Sequence, residues 1–524
     1  MCFVFDFKIF VVSLQNEIYT RIMIINTEVR DYIQNGVPVL DSYGKCCKEL
    51  CVSYVEESGK VNMFCWPIPD QLMYVWEYAK RGEQPDQYFK SWDFKPVIKK
   101  RVEGNFSEQR IHEILIDIER WWPDNPVVKL LSELHMPNTT YMDIEVNVDD
   151  DGFPEASEAK NPINTVSILM NDTVYVLGRA ELTQNEINWI QNEITKHCER
   201  FETKYKFVYR YHPNEISLLN DLLYFIEISD CVTGWNWFGY DYPYIYNRLK
   251  KLNMNPDVMS PTRGKFKYKP QSAKTKEDTL TLPMHKAMYD YLEVYKKWDR
   301  MVSPKESNKL DWVAEKMLGV KKVQHQLGFK DMWEQQKKEY VFYNAVDSIL
   351  VRELDLVLKT SSAFFGLANL MHCPALVAFS STKSIEIVQA EYLYKENRVF
   401  PSGVKKKNEK NGYEGAFVFE PKPGVYKNAL TLDYASLYPT TIRQFNISPD
   451  TLICKDKNHV RKDNEIKCCN GCVYTKDFEG FIPKILTDFY GKRKMYKKEM
   501  IAAEKEKNYL EEVLKRRLKE TNIN

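Results

Sequence analysis

Four aspartates, one glutamate and one tyrosine in this chain have the types and spacing that metal-assisted phosphate chemistry uses. In Tyr141-Met142-Asp143-Ile144-Glu145-Val146 the pattern alternates as a strand, so Asp143 and Glu145 project from the same face. Two carboxylates side by side repel unless a cation sits between them, and a divalent metal is the usual answer. Asp241 stands where a glycine-containing turn enters a helix, a place for either a helix cap or a ligand. Tyr343 and Asp347 lie at i,i+4 on a long helix read from about Lys338 to Lys359, and an apolar-flanked aspartate in mid-helix needs a partner. Asp433 follows the strand-like run Ala429-Leu430-Thr431-Leu432, after which Ser436-Leu437-Tyr438 turns into a helix opened by Pro439. A carboxylate at a strand end can hold Mg²⁺ and free N–H groups at a helix start can hold phosphates; the same features also suit an ordinary β-α junction with a surface aspartate.

The elements that must position these residues can be read from periodicity. Further strands are expected at Thr165 to Leu169 and Thr173 to Leu177, then helices over Gln184 to Phe201 and His212 to Ser229. That order fits an α/β nuclease core. Upstream, residues 1–137 read as a mixed α/β domain, with strands at Cys51 to Val55 and Val61 to Trp66 and helices at Gln71 to Lys80 and Glu108 to Trp121. The helix carrying Asp347 is expected to run on toward Leu370, and another follows from Thr382 to Tyr394. Near the end, Phe481-Ile482-Pro483-Lys484 opens a helix with Lys492, Arg493, Lys494, Lys497 and Lys498 on it. Arg493 and Lys497 are spaced to bind phosphates together, although a solvated basic helix has the same pattern.

At 524 residues the chain is too long for one core. Lys+Arg 74 against Asp+Glu 73 leaves a net charge of +1, so any nucleic-acid surface must come from local segregation of charge. Candidates are Arg263-Gly264-Lys265-Phe266-Lys267-Tyr268-Lys269, where aromatics interleave the cations, and Lys405-Lys406-Lys407; a solvated hairpin and a solvated loop are the plainer readings. The 12 cysteines show no repeated even spacing, which favours a reducing, cytoplasmic compartment. Cys47, Cys51 and Cys65 read as buried or incidental, whereas Cys469-Asn470-Gly471-Cys472, with Cys454 and Cys468 nearby, has zinc-like spacing. The start, MCFVFDFKIFVVSL, lacks the basic and cleavage regions of a signal peptide and reads as a first strand or as an extension before Met23. No apolar run approaches the roughly 20 residues of a membrane span, so a soluble protein is expected.

The string DYASLYPTTIRQFNISP resembles the first polymerase motif of family B DNA polymerases, especially those of T-even-type bacteriophages. Asp143-x-Glu145, Asn236 to Asp241 and Tyr343-x-x-x-Asp347 together resemble the three motifs of the DEDDy 3′→5′ proofreading exonucleases. DYLEVYKKW, KLDWVAEKMLGVKK and Tyr413-Glu414-Gly415-Ala416 are similar to further segments of the same family. The resemblance implies a mixed, multidomain α/β fold with an RNase H-like exonuclease over 138–365. It also implies an N-terminal domain, 1–137, completed by about 366–404, a partial palm over 405–480 and a first fingers helix over 481–524. By the same resemblance Asp143, Glu145, Asp241 and Asp347 bind two Mg²⁺ or Mn²⁺ ions and Tyr343 orients the attacking water. In the palm, Asp433 binds metal, Ser436 and Leu437 contact the triphosphate, Tyr438 closes on the sugar, and Arg493 and Lys497 hold the incoming dNTP.

No second fingers helix, D-T-D motif or thumb follows in these residues, so polymerisation by this chain alone is not expected. The reading that results is an N-terminal subunit of a split replicative polymerase in the cytoplasm of an infected bacterium. Its partners would be primer-template DNA, a single-stranded DNA 3′ end, dNTP, a C-terminal polymerase half and, through that half, a sliding clamp. A stand-alone 3′→5′ exonuclease and a non-catalytic nucleic-acid-binding module are the alternatives.

Overall fold

The computed structural model describes residues 24–521, apart from 35–36, 41–44, 57, 103–105, 122–135, 150–151, 260–264, 269, 271–278, 284–285, 300–306, 321–322, 324–326, 403–418 and 421. The N-terminal MCFVFDFKIFVVSL, Met23, Arg263-Gly264, Lys269, the Lys405 to Lys407 run and Tyr413 to Ala416 therefore lie outside the described residues. The chain forms two compact units. One comprises residues 1–68, 115–387 and 496–524, the other 69–114 and 388–495.

In the first unit the core is a six-stranded sheet whose order is Lys206–Tyr211, Thr173–Gly178, Ile163–Met170, Thr139–Val146, Cys231–Thr233 and Ala287–Met288. Ile163–Met170 pairs antiparallel with both neighbours, while Cys231–Thr233 runs parallel to Thr139–Val146. Ile163–Met170 is buried at seven of its eight positions, as suits a strand covered on both faces. The helix Lys337–Leu358 packs along it and along Thr139–Val146. That helix is buried without a break from Tyr340 to Val351, so the polar Asn344 and Asp347 are carried into the interior. The helix Gln184–His197 begins with a Thr183/Glu186 capping box, and Glu215–Ile228 is capped by Asn214 Oδ1, which accepts from the Ser217 N–H at 2.9 Å.

A buried ion pair ties the sheet to the helix Asp241–Lys251. Arg248 donates to Glu215 through Nε (2.9 Å) and Nη2 (2.7 Å), and Glu215 Oε1 also accepts the Ile163 N–H at 2.7 Å. Arg248 Nη1 spends its remaining donors on the Ala159 and Lys160 carbonyls. Every charge in the cluster thereby has a partner, the condition for burying a pair at all.

The helix carrying Asp347 does not run on to Leu370. It stops at Lys359, whose φ of 54° is left-handed, and a new helix spans Thr360–Leu370. Asp355 makes the break stable by accepting from the Ser361 N–H at 2.9 Å and the Tyr141 hydroxyl at 2.8 Å. An antiparallel sheet of Ile24–Asp31, Lys48–Val55 and Val61–Pro67 completes this unit's described strands outside the core sheet and the hairpins Ile33–Gln34/Val37–Pro38 and Lys265–Tyr268/Leu280–Pro283. Its register sets Cys51 opposite Cys65, with the sulfurs 2.9 Å apart and Glu49 beside them. The Arg30 guanidinium already takes that place, bonding Glu49 at 2.7 Å and Cys65 Sγ at 3.4 Å.

In the second unit, Gln71 to Lys80 is not a helix. Asp70–Leu72 makes one 3-10 turn and Tyr74–Tyr78 is a strand paired with Val97–Arg101. Tyr-Val-Trp-Glu-Tyr alternates with period two and is built from β-favouring residues, and Trp76 packs between Tyr74 and Phe89 at 5.1 and 4.8 Å. The helix Leu437–Gln444, the sheet Leu452–Lys455, Cys472–Thr475, Glu465–Lys467 and the start of the helix Phe481–Thr521 form the later part of this unit. Ala429 to Leu432 is not a strand: no described strand pairs with it, and Leu430 and Leu432 are 83% and 86% exposed.

Candidate active site

Strand periodicity and helix periodicity meet at one point of the first unit. Asp143 and Glu145 on the central strand and Asp347 on the long helix each bring a carboxylate oxygen within 4.8 Å of the others. Glu145 and Asp347 are buried and Asp143 is half-buried. Three anionic oxygens so placed are hard donors, and their mutual repulsion in a region of low dielectric is relieved by a divalent cation. The donor set therefore fits a hard divalent cation, and Asp143, Glu145 and Asp347 are the side chains that would hold it.

Asp241 is the first residue of its helix, and that helix's N-cap, Tyr240, makes no side-chain cap bond. The Asp241 carboxylate instead accepts the backbone N–H of Ile144, at 3.1 Å, between the two acids of the strand. Burial, and after it the charge of Asp143, hold its pKa well above the ordinary carboxylate range. Asp241 thus contacts the strand between Asp143 and Glu145, although it is not one of the three acids whose oxygens converge within 4.8 Å.

What brings Asp241 there is a tight turn. Gly234 follows the strand Cys231–Thr233 and passes so close to the central strand that an added Cβ would stand 2.3 Å from the Met142 carbonyl oxygen. Asn236, at φ 63°, then reverses the chain and its carbonyl accepts the Gly239 and Tyr240 N–H groups. Asp290 holds the turn from outside by accepting the Phe238 N–H at 3.0 Å, while its other oxygen accepts the Leu292 N–H at 2.8 Å. Burial, then the neighbouring Glu293, push the Asp290 carboxyl up to about 7. In the sequence Asp290 stood only as the first letter of a familiar segment.

Tyr343 lies one turn before Asp347 and packs edge-on against Phe329 at 5.3 Å. Between them Asn344, fully buried, donates from Nδ2 to Asp143 Oδ2 at 2.7 Å. Sequence reasoning passed over Asn344; an amide inside the apolar run Val341 to Val346 was the available signal.

The second constellation, around Asp433 to Tyr438 in the other unit, is open. Asp433 and Tyr438 are exposed, the latter by 71%, and Ser436 begins the helix Leu437–Gln444 in the left-handed conformation, φ 56°, with no side-chain cap. Leu437 is 51% exposed. Arg493 and Lys497 are exposed, one turn apart on the helix Phe481–Thr521. The tail of the motif, missed as a contributor, anchors the start of that helix. Asn446 accepts the Gly480 N–H at 2.9 Å and Arg443 donates to Thr487 Oγ1 at 2.9 Å; Asp450 instead accepts from the buried Arg398, on the strand Arg398–Val399, at 2.8 Å. The C-x-x-C of Cys469 and Cys472 belongs to a hairpin turn, in which the Cys468 N–H reaches the Cys472 carbonyl at 2.8 Å and Gly471 has φ 86°. Among the described residues, Cys454, Cys468, Cys469 and Cys472 do not converge as a three-ligand group.

No helix among the described residues is long and apolar enough to cross a membrane. Residues 98–311 match the family model for the exonuclease domain of DNA polymerase family B, and residues 374–517 match the model for DNA polymerase family B. The chain is 29% identical over 396 residues to the DNA-directed DNA polymerase of Escherichia phage RB69, covering 71% of this chain and 43% of that protein. It is 28% identical over 385 residues to that of Enterobacteria phage T4, covering 69% and 42%. With the DNA polymerase catalytic subunit of Epstein-Barr virus (strain B95-8) it shares 25% over 390 residues, covering 68% and 36%. The chain thus spans less than half the length of these relatives. The two models are of one family and together span more than half of the chain: the chain belongs to the family B DNA polymerases.

Proposed function

We propose that this chain removes nucleotides from the 3′ end of single-stranded DNA, as a proofreading 3′→5′ exonuclease, and contributes one side of a dNTP polymerisation site. The observation that carries the nuclease reading is the convergence of Asp143, Glu145 and Asp347 oxygens within 4.8 Å, with Asp241 bonded between the two strand acids. These four side chains would hold two divalent ions, which, when bound, activate water and neutralise the phosphate and the leaving oxygen. Tyr343, one turn from Asp347, orients the attacking water. The bond to the penultimate nucleotide's 3′-oxygen breaks, releasing a nucleoside 5′-monophosphate and leaving a new 3′-hydroxyl. Mg²⁺-dependent shortening of a 5′-labelled oligonucleotide tests this; wild-type protein that leaves the label at full length refutes it.

For polymerisation, we infer that Asp433 supplies a metal ligand, Ser436 and Leu437 backbone N–H groups meet the triphosphate, Tyr438 checks the sugar, and Arg493 and Lys497 hold the phosphates. A C-terminal polymerase half supplies the opposing carboxylate. Supporting this are the exposed apolar side chains just before the motif, Val425 at 96%, Leu430 at 83% and Leu432 at 86%, and Leu510 and Leu514 at 57% and 59% on the last helix. Co-purification and primer extension with such a half are the test. A mixture that neither associates nor extends a primer rules this assignment out.

A further inference from the structure

We propose that Asn344 is a positioning residue that fixes Asp143 in the rotamer needed to ligate metal; the inference rests on the nuclease reading above. Its Nδ2 lies 2.7 Å from Asp143 Oδ2 and 3.4 Å from the backbone oxygen of the same residue. The amide's orientation follows from chemistry, because an ionised carboxylate and a carbonyl only accept, so the NH₂ must face both. The two contacts grip Asp143 at its main chain and at its carboxylate, and rotation about the bonds between them breaks one.

Asp143 is the acid that most needs such a hold. Glu145 and Asp347 are 8% and 4% exposed, whereas Asp143 is only half-buried and opens toward solvent. A side chain left free there loses rotamer freedom each time it captures a cation, and that loss weakens binding. Packing alone does not explain the amide. Asn344 is 0% exposed between Tyr343 and Ala345, and its Oδ1 is buried with no hydrogen-bond partner, so a leucine of similar size would fill the space without stranding an acceptor. The bond to Asp143 accounts for a polar group at this position. Groups that orient metal ligands in this way typically change metal affinity or activity by about 10–100-fold when removed.

The experiment uses the full chain and Mn²⁺ alone. Isothermal titration of metal-free protein, without DNA, compares wild type, Asn344→Leu, Asn344→Ala and Asp143→Asn. Both Asn344 variants should raise the Mn²⁺ dissociation constant by roughly tenfold or more while the metal-free melting temperature stays near that of wild type. Nuclease activity should fall more at limiting than at saturating Mg²⁺. A folded variant with wild-type Mn²⁺ affinity overturns the proposal, as does a loss of metal-free stability in both variants accompanied by an equal loss of activity at every Mg²⁺ concentration. Wild-type Mn²⁺ binding that Asp143→Asn leaves unchanged would instead refute the site itself, and the positioning role with it.

Discussion

Substituting Gly234 by alanine tests whether the turn entering the Asp241 helix sets the geometry of the acid cluster. The new Cβ would sit 2.3 Å from the Met142 carbonyl oxygen, a backbone atom that cannot rotate away. An ordinary carbon–oxygen contact is about 3.3 Å, so the turn and the central strand must separate by roughly 1 Å. The strain should cost about 1–3 kcal/mol, the range for overpacked interiors. The functional cost should be larger. Met142 precedes Asp143, and Gly234 leads within seven residues to Asp241, whose carboxylate bonds the Ile144 N–H. The separation therefore acts directly on the distance between proposed ligands, and a misplacement of about 1 Å can reduce a reaction rate by about 10²-fold. Urea denaturation gives the first quantity and single-turnover cleavage of a labelled oligonucleotide the second. A folded Gly234→Ala protein cleaving at the wild-type rate would refute the claim that this close approach sets the cluster.

Other outcomes follow from the same structure. Arg248→Met leaves Glu215 buried without its cation and should cost about 3–5 kcal/mol in a denaturation experiment, most of it recovered by adding Glu215→Gln. Asp290 keeps its proton up to about pH 7 when folded, against an ordinary value of 3.8, so the fold binds an extra proton between those values. Metal-free stability should consequently fall as pH rises through that window, and melting curves of Asp290→Asn should lack that part of the slope. Asp143→Asn removes a charge that repels Asp241, so without metal it should melt higher than wild type, while added Mg²⁺ should raise its melting temperature less.

The convergence of Asp143, Glu145 and Asp347 was legible because its signals are local. Alternation in Tyr141 to Val146 places Asp143 and Glu145 on one face, and the i,i+4 spacing of Tyr343 and Asp347 holds on a helix read almost to its ends. Asp241 could be read two ways because only the third dimension shows that its carboxylate reaches Ile144. Arg248 with Glu215, Asp290 with Phe238 and Asn344 with Asp143 join residues 33, 52 and 201 apart, and no window of sequence contains those bonds. At Tyr74 to Tyr78 the helix expectation passed over two strand signals the sequence carries, period-two alternation and β-favouring aromatics. At Lys359 a left-handed residue, stabilised by Asp355 reaching to Ser361, interrupts an apolar pattern that continues through it. Ala429 to Leu432 has the composition of a strand, but a strand needs a neighbour, and none of the described strands pairs with it.

The most direct measurement is the 3′ trimming of a 5′-labelled single-stranded oligonucleotide in Mg²⁺ by wild-type protein and by the Asp143→Ala, Glu145→Ala double variant. The wild-type chain should release nucleoside 5′-monophosphates one at a time, stopping on addition of a chelator, and the double variant should be at least ~10³-fold slower, since removing metal ligands removes the activated water. Equal rates for the two proteins, or trimming that survives the chelator, would contradict the assignment of the nuclease centre to these carboxylates.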